Sequence, residues 1–174
     1  MTGPEVADLQ RAVLDTPSTV TRFLEELTGE MVVADVVRQY PVVLGLNNEL
    51  GVPAGETATR RIAVLKGCAT DRAYLYANTV FVAHRLPETA RRQLEGTREP
   101  IGRVLADHGL DPVREPLAHP EEVAAEAPDS AMRLGSEVVW SRAYRLTIDG
   151  LPVFVIHEWF LHSVVDALGR RGRE

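Results

Sequence analysis

The sequence predicts an α+β fold in which a single antiparallel β-sheet is flanked by helices. β-Branched and aromatic stretches come mostly in pairs, turn residues join the members of a pair, and helical periodicities lie between the pairs. Strands paired through short turns form antiparallel hairpins, and helices inserted between hairpins pack against the sheet. The composition does not shift along the 174 residues. We therefore expect one domain, with two N-terminal helices at about 4–29 and the sheet at about 31–168.

The first two elements are predicted to be helices. Apolar residues recur at helical spacing in two runs, the first Val6, Leu9, Val13 and Leu14, the second Val20, Phe23, Leu24 and Leu27. The stretch 15–18 separates the runs with turn residues, and Gly29 ends the second one.

Three stretches then predict strands of the sheet. Residues 31–37 are β-branched and precede a loop through Asn47-Asn48 and Gly51-Val52-Pro53. Residues 59–66 and 73–83 form a predicted hairpin around the turn residues 67–71.

The second half of the chain adds two helices and a second hairpin. Helices are predicted after Pro87, ending at Gly96, and from Pro100 to about Gly109. Residues 110–117 predict an edge strand because prolines interrupt them, and residues 119–133 an exposed connector. Residues 137–148 and 151–160 form the last hairpin around Asp149-Gly150, a pair typical of two-residue turns.

Composition narrows the classes of partner and compartment. The net charge is −6 and the basic residues are scattered, which argues against a nucleic-acid partner. No apolar run has the length of a membrane span, and the first residues lack the pattern of a signal peptide. A single cysteine, Cys68, fits a reducing cytoplasm, so a cytoplasmic protein is expected.

Two stretches of this sequence contain recognisable motifs. The first includes Arg61-Ile62-Ala63-Val64-Leu65-Lys66-Gly67, Ala77-Asn78-Thr79-Val80, Leu86-Pro87 and Pro100-Ile101-Gly102-Arg103-Val104-Leu105. The second includes Arg142-Ala143-Tyr144-Arg145-Leu146, Gly150-Leu151-Pro152 and Glu158-Trp159-Phe160-Leu161. Together these fragments resemble the chorismate pyruvate-lyase family, and most closely its actinobacterial-type branch, which makes 4-hydroxybenzoate for phenolic products. The likeness extends over about residues 10–168 and depends on the order and spacing of the fragments.

The resemblance implies an enzyme of the chorismate lyase-like fold that cuts chorismate into 4-hydroxybenzoate and pyruvate. It implies a buried pocket, tight retention of the aromatic product, and no metal or cofactor. The family's substrate-binding arginine matches Arg61, with Arg60 beside it, and its catalytic glutamate matches Glu158. The residue whose backbone meets the substrate matches Ile101, next to Gly102. On a strand Arg60 and Arg61 point to opposite faces, so only one can face the pocket.

The chemistry of such a substrate suits these residue types. Chorismate is a dianion, and a guanidinium fork matches a carboxylate with two parallel hydrogen bonds. Glu158 lies in the apolar stretch 153–160, where burial of a carboxyl is costly unless it is paired or protonated. A protonated Glu158 would serve as a general acid toward the departing enolpyruvyl group.

Four other interpretations concern these residues, their neighbours or the function of the whole chain. His157, Glu158 and His162 invite a metal site, but neighbouring strand residues face opposite sides, so no metal site is predicted. Arg142 and Arg145 could face solvent, and Tyr144 could be a core residue. The chain could also be a non-catalytic aromatic-acid sensor of the same fold, although no basic helix-turn-helix segment precedes Met31, or an enzyme on a chorismate relative. The oligomeric state stays open.

Overall fold

Six strands form one antiparallel sheet in the computed structural model, which describes residues 3–120, 122–123 and 137–172. The strands are Val32–Val43 (β1), Thr57–Gly67 (β2), Ala73–Phe81 (β3), Val113–Leu117 (β4), Val138–Ile148 (β5) and Leu151–Leu161 (β6). Their order across the sheet is β1-β2-β3-β6-β5-β4, and every neighbouring pair is antiparallel. The predicted fold class is confirmed.

The described helices cover one face of this sheet. They are Pro4–Leu14 (α1), Val20–Thr28 (α2), Glu88–Gly96 (α3), Ile101–Asp107 (α4) and His162–Arg171 (α5), with a short 3₁₀ turn at Ala83–Arg85. The sequence predicted the first four and missed α5, although α5 buries Val164, Val165 and Ala167 against the sheet. Among the described residues, no helix is long and apolar enough to cross a membrane.

Local sequence explains where several elements begin and end. The Thr19 side chain accepts a hydrogen bond from the Arg22 amide and caps α2, and Gly29 ends α2 in the left-handed region at φ 72°. Asp149 and Gly150 have φ values of 50° and 79°, as a two-residue type I′ turn requires. The predicted hairpin of β5 and β6 is confirmed.

Two expectations about the chain's path need correction. The first strand runs on to Val43, past the predicted end at residue 37, and includes Pro41. Proline is tolerated there because β1 is an edge strand that pairs with β2 alone. Most of the connector predicted at 119–133 lies outside the described residues, but Val123 is buried against the sheet rather than exposed.

The hydrophobic core divides into clusters on both faces of the sheet. One cluster joins the inner faces of α1, α2 and α5 to β1, β2, β3 and β6. A second joins α3 and α4 to β3, β5 and β6. The two share the helix-covered face, and the candidate site lies between them.

Candidate active site

A cavity opens between the helix-covered face of the sheet and the helices above it. Its floor comes from β2, β3, β5 and β6, and its walls from the N-terminus of α2, from α4 and from β4. The empty space among these residues is about 670 Å³, a figure that includes space open to solvent. A concave, mostly apolar space with a few polar groups is the usual form of a small-molecule site. The charged residues in its lining are Arg61, Arg114 and Glu158.

Small residues in the floor make room for the cavity. Ala63 of β2 pairs with Ala77 of β3, which in turn pairs with Glu158 of β6. Directly opposed residues in an antiparallel pair lie on the same face of the sheet. The two alanine methyl groups therefore leave space beside the glutamate on the floor.

Arg61 lies at one end of the cavity and is 2% exposed. Its Nη1 donates to the Leu94 carbonyl and its Nη2 to the Glu99 carbonyl, the latter at 2.9 Å. Within the described part of the chain, no carboxylate lies within ion-pair distance of this guanidinium. Burial without such a partner lowers the pKa of Arg61 to about 10. An uncompensated cation in a cavity favours an anionic ligand.

Arg60 faces the other side of the sheet and does not line this cavity. Its guanidinium donates to the Asn78 side chain at 3.2 Å and to the Glu122 carbonyl at 2.7 Å. Of the two adjacent arginines that the sequence offered as candidates, Arg61 therefore faces the cavity and Arg60 does not, because neighbouring residues of a strand point to opposite faces.

Glu158 is 3% exposed and both of its oxygens are occupied. Oε2 accepts a hydrogen bond from Nε of Arg142 at 2.7 Å, and Oε1 accepts one from the Tyr144 hydroxyl at 2.7 Å. Both partners come from β5, where Arg142 is directly opposite Glu158. The cost of burying this carboxyl is offset by pairing, which the sequence left open as one of two solutions.

The pKa values of both partners of Glu158 differ from their ordinary values. Burial alone would lower the pKa of Arg142, but the charges of Glu158 and Tyr144 and the hydrogen bonds to them together outweigh burial, and the pKa of Arg142 is raised. Burial, and then the neighbouring Glu158 charge, raises the pKa of the Tyr144 phenol far above its ordinary value. Both groups therefore keep their protons at neutral pH and remain donors to the carboxylate.

Ile101 and Gly102 both line the cavity at the start of α4, where the sequence placed a substrate contact. A Cβ on Gly102 would lie 2.7 Å from Cβ of Thr19, which is too close for any other residue without movement. Glycine at this position therefore allows α4 to approach the N-terminus of α2 closely.

The histidine beside Glu158 lies on the opposite face, as the strand geometry predicted. His157 stacks on Trp159 with ring centroids 3.8 Å apart. Among the described residues, no group of three or more His, Cys, Asp or Glu side chains is arranged to hold a metal ion.

Sequence reasoning did not place three side chains near the cavity together. It left Arg142 as a possible solvent-facing residue and Tyr144 as a possible core residue, and it did not include Arg114. Arg114 lines the cavity from β4, and its guanidinium carbon lies 4.8 Å from the centroid of the Tyr144 ring. The alternation of residues along β5 was the available signal, because it places Arg142 and Tyr144 on one face.

Solved structures with this fold include effector domains of bacterial regulators. PhnF from Mycobacterium smegmatis aligns with a TM-score of 0.56 and 14% identity over 86% of this chain and 66% of that chain. The separate effector domain of PhnF aligns with a TM-score of 0.52 and 16% identity over 84% of this chain and 90% of that domain. At such identities the likeness defines a shared chorismate lyase-like fold and nothing more.

Comparison with protein families is more specific. The model of the family described as "Chorismate pyruvate-lyase Rv2949c-like" matches residues 14–168, so this chain belongs to that family. A chorismate pyruvate-lyase of Mycobacterium leprae is 26% identical over 166 aligned residues, covering 88% of this chain and 74% of the relative. One from Mycobacterium tuberculosis is 25% identical over 162 residues, with 88% and 80% covered.

Proposed function

We propose that this protein is a chorismate pyruvate-lyase that converts chorismate to 4-hydroxybenzoate and pyruvate. The observation that carries the proposal is one cavity holding an uncompensated guanidinium, Arg61, and a paired carboxylate, Glu158. An anion-binding group and a proton-handling group beside a small-molecule space are the two parts such a reaction needs. Membership of the family and the named mycobacterial relatives support the same reaction.

Arg61 is proposed to bind the ring carboxylate. Two of its five N–H donors are taken by the backbone carbonyls of Leu94 and Glu99, which leaves others for a ligand. Those two carbonyls also fix the plane of the guanidinium before a ligand arrives. A charged hydrogen bond in a water-poor site is strong because little solvent competes for either partner.

Glu158 is proposed to move the proton. The ring C–O bond to the enolpyruvyl oxygen breaks, and the hydrogen on the neighbouring hydroxyl-bearing carbon leaves as a proton, so that the ring becomes aromatic. Because Arg142 and Tyr144 present Glu158 as a hydrogen-bond acceptor, it takes this proton first. The carboxyl then acts as the general acid and returns the proton to the enolpyruvate, which becomes pyruvate. The proton removed from the ring is the one added to enolpyruvate, so the reaction neither gains nor loses a proton, and it needs no oxidant or reductant.

The direct test is to incubate the purified protein with chorismate and separate the products by chromatography. We expect equal amounts of 4-hydroxybenzoate and pyruvate without added metal or nucleotide. Glu158→Gln should lower kcat by about 10²- to 10⁴-fold while 4-hydroxybenzoate still binds. The assay temperature is chosen so that circular dichroism shows the variant to be folded.

Glu115→Gln provides a matched control. Glu115 also accepts a hydrogen bond from a β5 arginine, Arg145 at 2.8 Å, but it does not line the cavity. Its replacement should leave turnover unchanged. Full activity in Glu158→Gln, or equal losses in both variants, would contradict the assigned role.

Two other results of the same test would indicate a different function. If the wild-type protein returns chorismate unchanged but binds aromatic acids in a thermal-shift screen, it is a ligand-binding module, as its fold neighbours among regulator effector domains would suggest. If a different aromatic acid appears, the substrate is a relative of chorismate.

A further inference from the structure

Arg114 gives the cavity a second cationic group, on the side away from Arg61. The two arginines lie on β4 and β2, with β3, β6 and β5 between them in the sheet, yet both line the same cavity. A single bound molecule can therefore meet a guanidinium at each side.

The surroundings of Arg114 differ from those of a nearby arginine on β5, which lies on the other face of the sheet. Arg145 of β5 is paired with Glu115 and Glu49. In the described ranges, no carboxylate lies within ion-pair distance of Arg114, which is stacked on the Tyr144 ring instead. That stacking leaves the edge of the guanidinium, which carries its N–H donors, available to a ligand.

Arg114 also lies where the cavity meets the outside. It is exposed, and it lines both the cavity and an adjoining outer cleft together with Thr19, Gly102 and Leu146. A ligand that enters from this cleft passes Arg114 before it reaches Arg61. Arg114 therefore lies at the mouth of the cavity, whereas Arg61 lies at its buried end.

The charges around the cavity match a ligand with two negative charges. Arg61, Arg114 and Glu158 are the charged residues of the cavity lining, and Arg142 pairs with Glu158 from beside the cavity. Glu158 offsets one of the three arginine charges, so two positive charges remain in excess. A monoanion would leave one of them unmatched, whereas a dicarboxylate satisfies both.

We propose that Arg114 is a second carboxylate-binding residue, which takes the enolpyruvyl carboxylate of the substrate while Arg61 takes the ring carboxylate. The inference rests on the proposed lyase function and deepens it. It has a consequence for the reaction, because the enolpyruvyl carboxylate leaves with pyruvate. Arg114 therefore recognises the substrate and not the aromatic product, whereas Arg61 recognises both.

The test compares substrate and product in the same variants. Arg114→Gln should raise KM for chorismate about tenfold, the scale of one charged hydrogen bond, and change the Kd of 4-hydroxybenzoate less than twofold. Arg114→Lys should raise KM much less than Arg114→Gln does, because lysine keeps the positive charge. The control is Arg38→Gln, which removes another exposed arginine stacked on a tyrosine, Tyr40, outside the cavity.

Two results would overturn the assignment. KM could stay at the wild-type value in Arg114→Gln, or KM and the Kd of 4-hydroxybenzoate could rise by the same factor. If the wild-type protein does not turn over chorismate, the proposed function fails separately, and binding of benzoate and benzene-1,4-dicarboxylate then tests Arg114. A preference for the dianion that Arg114→Gln abolishes would support the site, and no preference, or one that survives, would refute it.

Discussion

Glu158 and Arg61 are buried in different parts of the cavity lining, here called its two ends, and their charges are compensated in different ways. At one end Glu158 meets Arg142 and Tyr144, so the protein itself supplies the counter-charge. At the other end Arg61 meets two backbone carbonyls, which carry only partial charges. The glutamate end is complete without a ligand, and the arginine end is not.

This difference separates stability from binding. A buried charge that is paired within the protein needs no ligand, but removal of either member leaves the other uncompensated and destabilises the fold. A buried charge without a partner gains its counter-charge from the ligand and so contributes to binding. Substitutions at the two ends should therefore fail in different assays.

The largest effect is expected on anion binding at the Arg61 end. Arg61→Gln should weaken benzoate binding by about 100-fold or more, because it removes the charge and the paired donors together. Arg60→Gln, one residue away on the opposite face, should leave the Kd unchanged. Calorimetric titration measures both Kd values. Equal effects in the two variants would contradict binding of benzoate on the Arg61 face of the sheet.

Loss of stability is the expected result at the other end. Glu158→Gln should lower the free energy of unfolding by about 3 kcal/mol, since it leaves Arg142 buried without its partner. The double variant with Arg142→Gln should recover part of that loss but no activity. Urea denaturation of the four proteins forms a double-mutant cycle, and an interaction energy near zero would contradict the pairing.

A smaller effect is expected where α4 approaches α2. Gly102→Ala should cost about 1–3 kcal/mol of stability, because the new methyl group meets Thr19 at the cap of α2. Gly96→Ala is the control, since a Cβ there meets no atom within 4 Å. Thermal denaturation compares the two variants. Equal Tm values would show that α4 and α2 move apart to accommodate the methyl group without loss of stability.

The smallest effect concerns pH at the arginine end. Arg61 holds an anion only while it is charged, and its pKa is about 10. Benzoate affinity should therefore be constant from pH 7 to 9 and fall as the pH rises through 10, by about fourfold at pH 10.5. Titrations under circular dichroism control measure this, and a flat affinity up to pH 10.5 would place the anion elsewhere.

Much of the fold could be predicted because local signals agreed with tertiary structure. Asp149-Gly150 fixed the last hairpin, and Pro87 and Pro100 marked the starts of α3 and α4. Strand alternation also predicted that only one of Arg60 and Arg61 faces the pocket, and the family resemblance favoured Arg61. The helix α5 was missed because its apolar residues follow β6 without an intervening turn signal.

The pairing of Arg142 with Glu158 could not be predicted from the turn. Ile148 pairs with Leu151 beside the turn, and a regular ladder counted from there would place Arg142 opposite His157, on the wrong face. The register shifts by one residue between Leu146 and Thr147, which brings Arg142 opposite Glu158 instead. A bulge of this kind depends on packing along the whole hairpin and leaves no local signature.

Arg61 connects the floor of the cavity to its cover. Leu94 lies in the last turn of α3 and Glu99 just before α4, so one guanidinium holds both ends of the link between the covering helices. A bound carboxylate favours the charged, donating form of that guanidinium. Occupancy and local unfolding of the link are therefore coupled equilibria, and we expect the amides of residues 95–99 to exchange hydrogen more slowly when a ligand is bound.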